Sequence, residues 1–402
     1  MKRKLRIFSA IIATAVLATT LFTSCNSSTS GETSSGATTG KDLKVALITA
    51  AAGQNDNGYN QSAVKGLEAA KTEYGVQTKV VDKQEDIPAA ISQMAEGGYK
   101  LIFTLEYNFD ALIKGVGGSK PIAEQYPETT FVVFNDNPNL NTEGKSIHKN
   151  VISVMFDVHQ ASFVSGALSV LVNENSEKLF SKDTHSLTTG ENGRKVGFLG
   201  GTNSNGITVF SYGYAEGINY MAKELGVNYT MYTDYNAGFT DSAAGATKAN
   251  AYYSDGANIV CTVAGSVGDG VDSKAKELKK LAIEVDADKD ANQSGYILTS
   301  ILKNTEVPVK EIIKKYIDGK IGEISGTAVS YSLKSGATGI TQLKEIEKMV
   351  TESGKATFAE IKTKLTEIEA KIASGDIKVT NAQAGEKFDK TKLTNLSMPN
   401  DK

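Results

Sequence analysis

From Leu43 onward, short apolar runs alternate with amphipathic stretches, which predicts strand and helix in repeated succession. Lys44-Val45-Ala46-Leu47-Ile48 reads as a buried strand. A polar loop of small residues leads to Tyr59, then to a helical pattern through Val64, Gly66, Leu67 and Ala70 that ends at Gly75, a typical C-cap residue. The same design recurs 151 residues later. Lys195-Val196-Gly197-Phe198-Leu199 passes through a polar loop, 202–208, to Phe210 and a helical pattern through Tyr214, Gly217, Ile218, Met221 and Leu225, closed by Gly226. Lysine to aromatic is 15 residues in both copies, lysine to mid-helix glycine 22, and lysine to terminal glycine 31. Agreement at three spacings predicts a duplicated strand–loop–helix unit. It implies two similar α/β lobes whose first strands each end on a ligand-facing loop.

The remaining pattern fills in both lobes. Strands are expected at 76–81, 101–104, 131–134 and 151–156, with helices at 87–95, 111–125 and 159–172. The polar, aperiodic stretch 173–193 reads as a surface insertion. Beyond the second unit come a strand at 228–233, a helix at 242–253, strands at 256–261 and 281–285, and a strand or strand–helix corner at 297–302. A helix at 307–316, a charged helix at 358–372 and a short strand at 377–379 complete the chain. Such alternation means βαβ units and parallel sheets with right-handed crossovers. Ligands of such sheets meet loops at the carboxyl ends of strands, here 49–60, 104–110, 135–138, 200–210, 264–270 and 286–289.

The first 25 residues change the picture. Lys2, Arg3, Lys4 and Arg6 precede a mainly apolar run from Ile7 to about Leu21, the form of a secretory signal and too short and Thr/Ser-diluted for a membrane span. The run ends Leu21-Phe22-Thr23-Ser24-Cys25, which resembles a bacterial lipobox, with Cys25 as the lipidated residue; a plain cleaved signal or a stray cysteine is the alternative. Residues 26–41 are then a Ser/Thr/Gly tether to a membrane surface. Without the signal, 39 basic residues face 46 acidic ones, a net charge of −7 that argues against a nucleic-acid partner. Apolar residues at 40% and charged residues at 22% exclude general disorder. Cys261, alone in an apolar run, has no internal disulfide partner, so the fold must rest on its core.

Candidate chemistry is sparse. Tyr59 and Phe210 occupy the same slot on opposing lobes, where they either sandwich a flat ring or plug the bases of their helices. Asp286, Asp288 and Lys303 are the charged candidates, Asp286 because it follows an apolar strand. Gly265, Gly268 and Gly270 make a glycine-rich turn whose spacing is not that of a phosphate-binding loop, so close backbone approach to a neutral ligand is as good a reading. His148, His159 and His185 stand in unrelated settings, so no metal site or cofactor is expected. No nucleophile–base arrangement is visible, which favours a binder over an enzyme.

Several blocks together carry a resemblance. Asp56-Asn57-Gly58-Tyr59-Asn60-Gln61-Ser62-Ala63, 159–166, 196–201, Ala237-Gly238-Phe239-Thr240-Asp241 and Leu298-Thr299-Ser300-Ile301-Leu302-Lys303 are similar to those of the basic membrane protein family, lipid-anchored substrate-binding proteins of ABC transporters that include purine-nucleoside receptors. The resemblance spans about residues 43–380. It implies the type I periplasmic-binding-protein fold, two Rossmann-like lobes joined by three crossing segments. The expected division is 42–156 plus about 287–322 for the first lobe and 157–286 plus about 323–402 for the second. It further implies a ligand site of Tyr59, Asn60, Asn135, Phe210, Gly265, Asp286 and Lys303, with the two aromatics stacking on a base and Asp286 and Lys303 holding ribose hydroxyls. Two positions depart from the family: Ala50 and Asn135 stand where aspartates are usual, which alters the base donors the site can satisfy. Glu284 replaces a usual glycine. The expected protein is a monomeric lipoprotein on the outer face of a bacterial cell membrane that passes a nucleoside to permease subunits. A sensor lipoprotein read by a membrane kinase or chemoreceptor, or a receptor for a sugar, are the alternatives.

Overall fold

The computed structural model describes residues 40–105 and 108–399, so the expected signal, Cys25 and most of the tether lie outside the described residues. The chain begins β1 (Lys44–Ile48), α1 (Tyr59–Tyr74), β2 (Gln77–Val81), α2 (Ile87–Glu96), β3 (Leu101–Thr104), α3 (Asp110–Ile113), α4 (Ile122–Gln125), β4 (Thr130–Phe134) and β5 (Val151–Phe156). It continues through α5 (Val158–Glu174), α6 (Ser176–Leu179), β6 (Lys195–Gly200), α7 (Asn205–Leu225), β7 (Tyr229–Asp234), α8 (Ser242–Ser254), β8 (Ile259–Val263), α9 (Val267–Leu278), β9 (Leu281–Asp286) and β10 (Ile297–Lys303). The last part holds α10 (Glu306–Ile317), β11 (Ala328–Tyr331), β12 (Thr338–Ile340), α11 (Lys344–Glu347), α12 (Lys355–Ser374) and β13 (Leu396–Ser397).

Two sheets result, ordered β11-β5-β4-β3-β1-β2 and β12-β10-β9-β8-β6-β7-β13. All pairings are parallel except β12 against β10. Every residue of central strands β3, β4 and β8 is buried, as continuous apolar runs covered on both faces must be. The outer strand β7 instead alternates buried and half-buried residues. On one face of the first sheet Phe103, Phe134, Phe156 and Tyr331 form a ladder across β3, β4, β5 and β11, with successive ring centroids 6.3, 6.1 and 5.9 Å apart.

The duplicated register holds in three dimensions. β1 lies between β3 and β2, β6 between β8 and β7, and Gly75 and Gly226 cap their helices in the left-handed conformation at φ 75° and 67°. The mid-helix glycines are points of close approach. A Cβ on Gly66 would lie 2.6 Å from the Glu306 carbonyl oxygen, against α10; one on Gly217 would lie 2.0 Å from that of Phe163, against α5. Gly166 and Gly213 do the same along the α5–α7 crossing, with Tyr214 and His159 carbonyls 2.2 and 2.3 Å away.

Several expectations are corrected. The second and third crossings fall at 304–305 and 332–337, later than expected. β10 satisfies the open edge of β9 and so belongs to the second sheet, whereas β11 does this for β5 in the first. The helix expected at 111–125 is two single turns, because Gly115, Gly117 and Gly118 take positive φ and Pro121 follows. Stretch 173–193 is not a loose surface insertion. Leu179, Phe180 and His185 are buried, Phe180 bridges Val350, and the His185 ring lies between Phe180 and Tyr296 at 4.2 and 5.2 Å. Residues 377–379 form no strand; the last strand is β13.

The close approach of α5 and α7 makes a prediction. Gly217→Ala should lower the melting temperature by an overpacking cost of about 1–3 kcal/mol. Gly206→Ala, in the same helix with open space around it, should leave stability equal or higher. Equal effects in thermal unfolding would show that the crossing does not depend on a missing side chain.

Candidate functional site

The site is built from the start of α1. The Asp56 carboxylate accepts the backbone N–H groups of Gly58, Asn60 and Gln61 at 3.0, 2.9 and 3.0 Å, satisfying donors that a helix start leaves open. Asn60 donates Nδ2–H to Asp56 at 2.8 Å and accepts the Ala50 N–H on Oδ1 at 2.8 Å. Its amide therefore fastens the loop after β1, and the effect is to fix Tyr59. The Tyr59 hydroxyl donates to the Leu105 carbonyl at 3.3 Å and accepts from Asn135 Nδ2 at 2.6 Å, while the Thr305 hydroxyl donates to the Tyr59 carbonyl at 2.8 Å.

Asn135 and Asp286 follow or end strands of opposite sheets, β4 and β9, and both take left-handed backbone angles, φ 64° and 75°. Asn and Asp tolerate this region better than other side-chain-bearing residues. The turn each makes brings a polar side chain to the carboxyl end of its sheet.

Lys303, the last residue of β10, sits at the centre. Its side chain is buried and its Nζ lies 5.0 Å from the Tyr59 ring centroid, 5.6 Å from Phe156 and 6.0 Å from Phe210. Tyr59 belongs to the first lobe and Phe210, on α7, to the second, so rings from both lobes face one ammonium. Burial pushes Lys303 down to about 8, against the pull of Asp286. Burial raises the Asp286 carboxyl, Lys303 and Lys289 pull it down, and Asp56 pushes it up. A Cβ on Gly58 would lie 3.4 Å from that of Asp286, so the first-lobe loop touches a second-lobe strand end. The lobes are closed on each other.

Tyr59, Asn135, Phe210, Asp286 and Lys303 thus converge, and Asn60 supports them from the loop. Gly265, at φ 54° after β8, packs on the Phe239 carbonyl, 2.8 Å from where its Cβ would be. Gly268 and Gly270 form no turn with it: they lie within α9, where a Cβ would strike Glu284 Oε1 at 2.0 Å and the Ser242 carbonyl at 1.7 Å. Asp288 accepts the Asp290 N–H at 3.2 Å. Glu284 lies behind the site in a buried ion pair with Lys289 at 2.9 Å. Burial opposes the Lys289 charge, but Glu284 and Asp286 outweigh it and hold that pKa above the ordinary lysine value. Sequence reasoning missed Phe156, whose signal was its place at the end of an apolar strand, and Gln383, whose Nε2 donates to the Asn135 carbonyl and which no local pattern marked. Among the described residues, no group of three or more His, Cys, Asp or Glu side chains could hold a metal ion.

Two parallel sheets joined by three crossings define a periplasmic-binding-protein-like fold. Residues 43–383 match the family described as ABC transporter substrate-binding protein PnrA-like, and the chain belongs to that family of binding proteins, which are not enzymes. It is 29% identical over 350 residues to the "ABC transporter nucleoside-binding protein BmpA" of Lactococcus lactis, covering 81% of this chain and 89% of that one. It is 26% identical over 401 residues to the "CD4+ T-cell-stimulating antigen" of Listeria monocytogenes, covering 94% and 99%. Basic membrane protein A of Borreliella burgdorferi is 25% identical over 340 residues, covering 83% and 87%. The fold is similar to a solute-binding protein of an ABC transporter system from Aeropyrum pernix, at TM-score 0.65 and 21% identity over 84% of this chain and 92% of that one. Membership implies a solute ligand, transporter partners and an extracytoplasmic, membrane-associated setting. No helix among the described residues is long and apolar enough to cross a membrane.

The Lys303 environment makes a pH prediction. In the folded protein Lys303 gives up its proton near pH 8, but in the unfolded chain it keeps it to the ordinary 10.5. Between those values the unfolded state binds more protons, so this residue's contribution to stability is lowest below pH 8 and rises toward 10.5. In unfolding experiments without ligand, the parent should therefore gain on Lys303→Met as pH rises from 8 to 10. A difference that stays constant over that range would mean Lys303 titrates like an exposed lysine.

Proposed function

We propose that this chain captures a nucleoside, with a purine base, between its two lobes and hands it unchanged to the permease of an ABC importer. The observation that supports this most is the convergence of Tyr59 and Phe210, from opposite lobes, on the Lys303 ammonium, with Asp286 in the same field. A flat base stacking on Tyr59 and Phe210 would displace the ammonium from between them. Lys303 and Asp286 then offer a donor and an acceptor, the pair that vicinal ribose hydroxyls require. The name of the Lactococcus lactis relative points the same way. Asn135 and Ala50 give the site an amide and a methyl, so its base preference differs from that of a site reading donors with carboxylates. Cys25 is the proposed lipidation site, with the tether holding the body off the membrane.

Mass spectrometry of ligand released from protein purified without added solute tests the reading. A nucleoside is expected; sugars or peptides alone would overturn it. By calorimetry with that nucleoside, Tyr59→Ala and Phe210→Ala should each weaken binding at least tenfold, about 1.4 kcal/mol. The double mutant should lose less than the sum, because each ring grips the base against the other. Full affinity in Phe210→Ala with a large loss of unliganded stability would make that ring a structural plug.

The anchor has its own test. Cys25→Ser should leave folding and affinity unchanged yet release the protein from membranes in fractionation. Retention of the unlipidated mutant would assign membrane attachment to the N-terminal segment itself.

A further inference from the structure

Beyond α12 the chain returns along α7. The Thr380 N–H and hydroxyl donate to the two carboxylate oxygens of Glu216 at 2.9 and 2.6 Å. The Phe388 ring stacks on Tyr212 with centroids 4.1 Å apart and planes within 5°. Ala382 is buried between these anchors. Glu216 and Tyr212 both belong to α7, the second-lobe helix that carries Phe210, so residues 380–388 ride on that helix. From this mount Gln383 reaches the first lobe, where its Nε2 donates to the Asn135 carbonyl oxygen. Asn135 in turn holds the Tyr59 hydroxyl. A continuous path of hydrogen bonds and packing therefore runs from Phe210 on one lobe, through α7 and Gln383, to Asn135 and Tyr59 on the other.

We propose that Gln383 is a positioning residue for ligand capture: it locks Asn135, and through it Tyr59, against the second lobe only when the lobes are closed. The proposal rests on the reading that the site grips a ligand between Tyr59 and Phe210. Opening the lobes separates α7 from β4 and must break the Gln383 bond, while a closed cleft remakes it. An amide donating to a carbonyl at this point adds to the closed state alone, so it slows ligand escape and cannot speed entry. It also fixes the tilt of the Tyr59 ring, which a clamp on a flat base needs.

The test uses the full chain with Cys25→Ser, Lys79→Cys and Lys223→Cys, spin-labelled on the two exposed new cysteines, one on each lobe. Pulsed dipolar distances without ligand should shift toward the open population in Gln383→Ala. With inosine as probe, its dissociation should speed up at least fivefold in stopped flow while association stays equal or rises. In Gln383→Glu only the protonated carboxyl can donate to Asn135, so inosine affinity should rise as pH falls from 7 to 4.5. Because Asp157, Glu216, Glu386, His159 and Lys392 share that region, Gln383→Ala at each pH is the baseline, and the difference between the two variants reports position 383. Unchanged distances in Gln383→Ala, or unchanged dissociation together with a pH-flat difference, would overturn the proposal. If the parent binds no nucleoside, the nucleoside reading falls by itself. The unliganded distances then decide the role of Gln383.

Discussion

The structure depends on an exchange of helices between the lobes. β5 ends the first sheet's core and delivers α5 to the second lobe, where it packs on α7; β10 ends the second sheet's core and delivers α10 to the first lobe, where it packs on α1. In each case the receiving helix presents a glycine, Gly217 or Gly66, where backbones meet closer than any Cβ allows. Neither lobe has a complete apolar layer from one continuous stretch of chain. The lobes are joined through the short crossings, and the strand ends beside them bring side chains of both lobes together. Lys303 and Phe156 end the two exchanging strands, which is why they meet.

Placing an ammonium there is costly. A buried lysine loses hydration that three aromatic faces and one charged neighbour recover only in part, as its lowered pKa records. On the proposed reading a bound nucleoside would complete this shell and return stability lost without it. The buried ion pair of Glu284 and Lys289 makes a contrasting case: each charge has its partner inside the protein, and Lys289 also pulls down the pKa of Asp286.

Much of this was legible in the sequence because the duplication constrains it twice. Two copies of one spacing fixed the first strand and helix of each lobe, down to the glycine caps, and uninterrupted apolar runs fixed the central strands. Of the converging residues, Tyr59 and Phe210 are visible from the matched spacing of the two copies, and Asp286 and Lys303 because strand ends in parallel sheets face one edge. Crossing points were misplaced because a strand's own residues do not say which sheet edge it will complete; β10 and β11 are assigned only by the open edges of β9 and β5. The stretch 173–193 looked loose because its few apolar residues are buried by partners distant in sequence, Val350 and Tyr296. Gln383 left no signal at all, since one glutamine in a polar segment acquires meaning only from the carbonyl it reaches.

The two-residue strand β13 has a consequence of a different kind. Leu396 and Ser397 pair with Tyr229 and Thr230 on the outer side of β7, and the preceding Asn395 is pinned by Asn219 and by the Val227 carbonyl. This short segment is what covers the open backbone of β7, whose side chains already alternate in the manner of a strand ready to pair. Among the described residues no further strand pairs with the corresponding rim of the first sheet, β2, which carries the exposed Lys79, a charge that discourages edge-to-edge joining. Loss of Leu396 and Ser397 would thus expose to other copies a strand rim whose one charge, Asp234, is already paired with Lys248. For a protein concentrated on a surface, the hazard is self-association into aggregates while the lobes themselves stay folded.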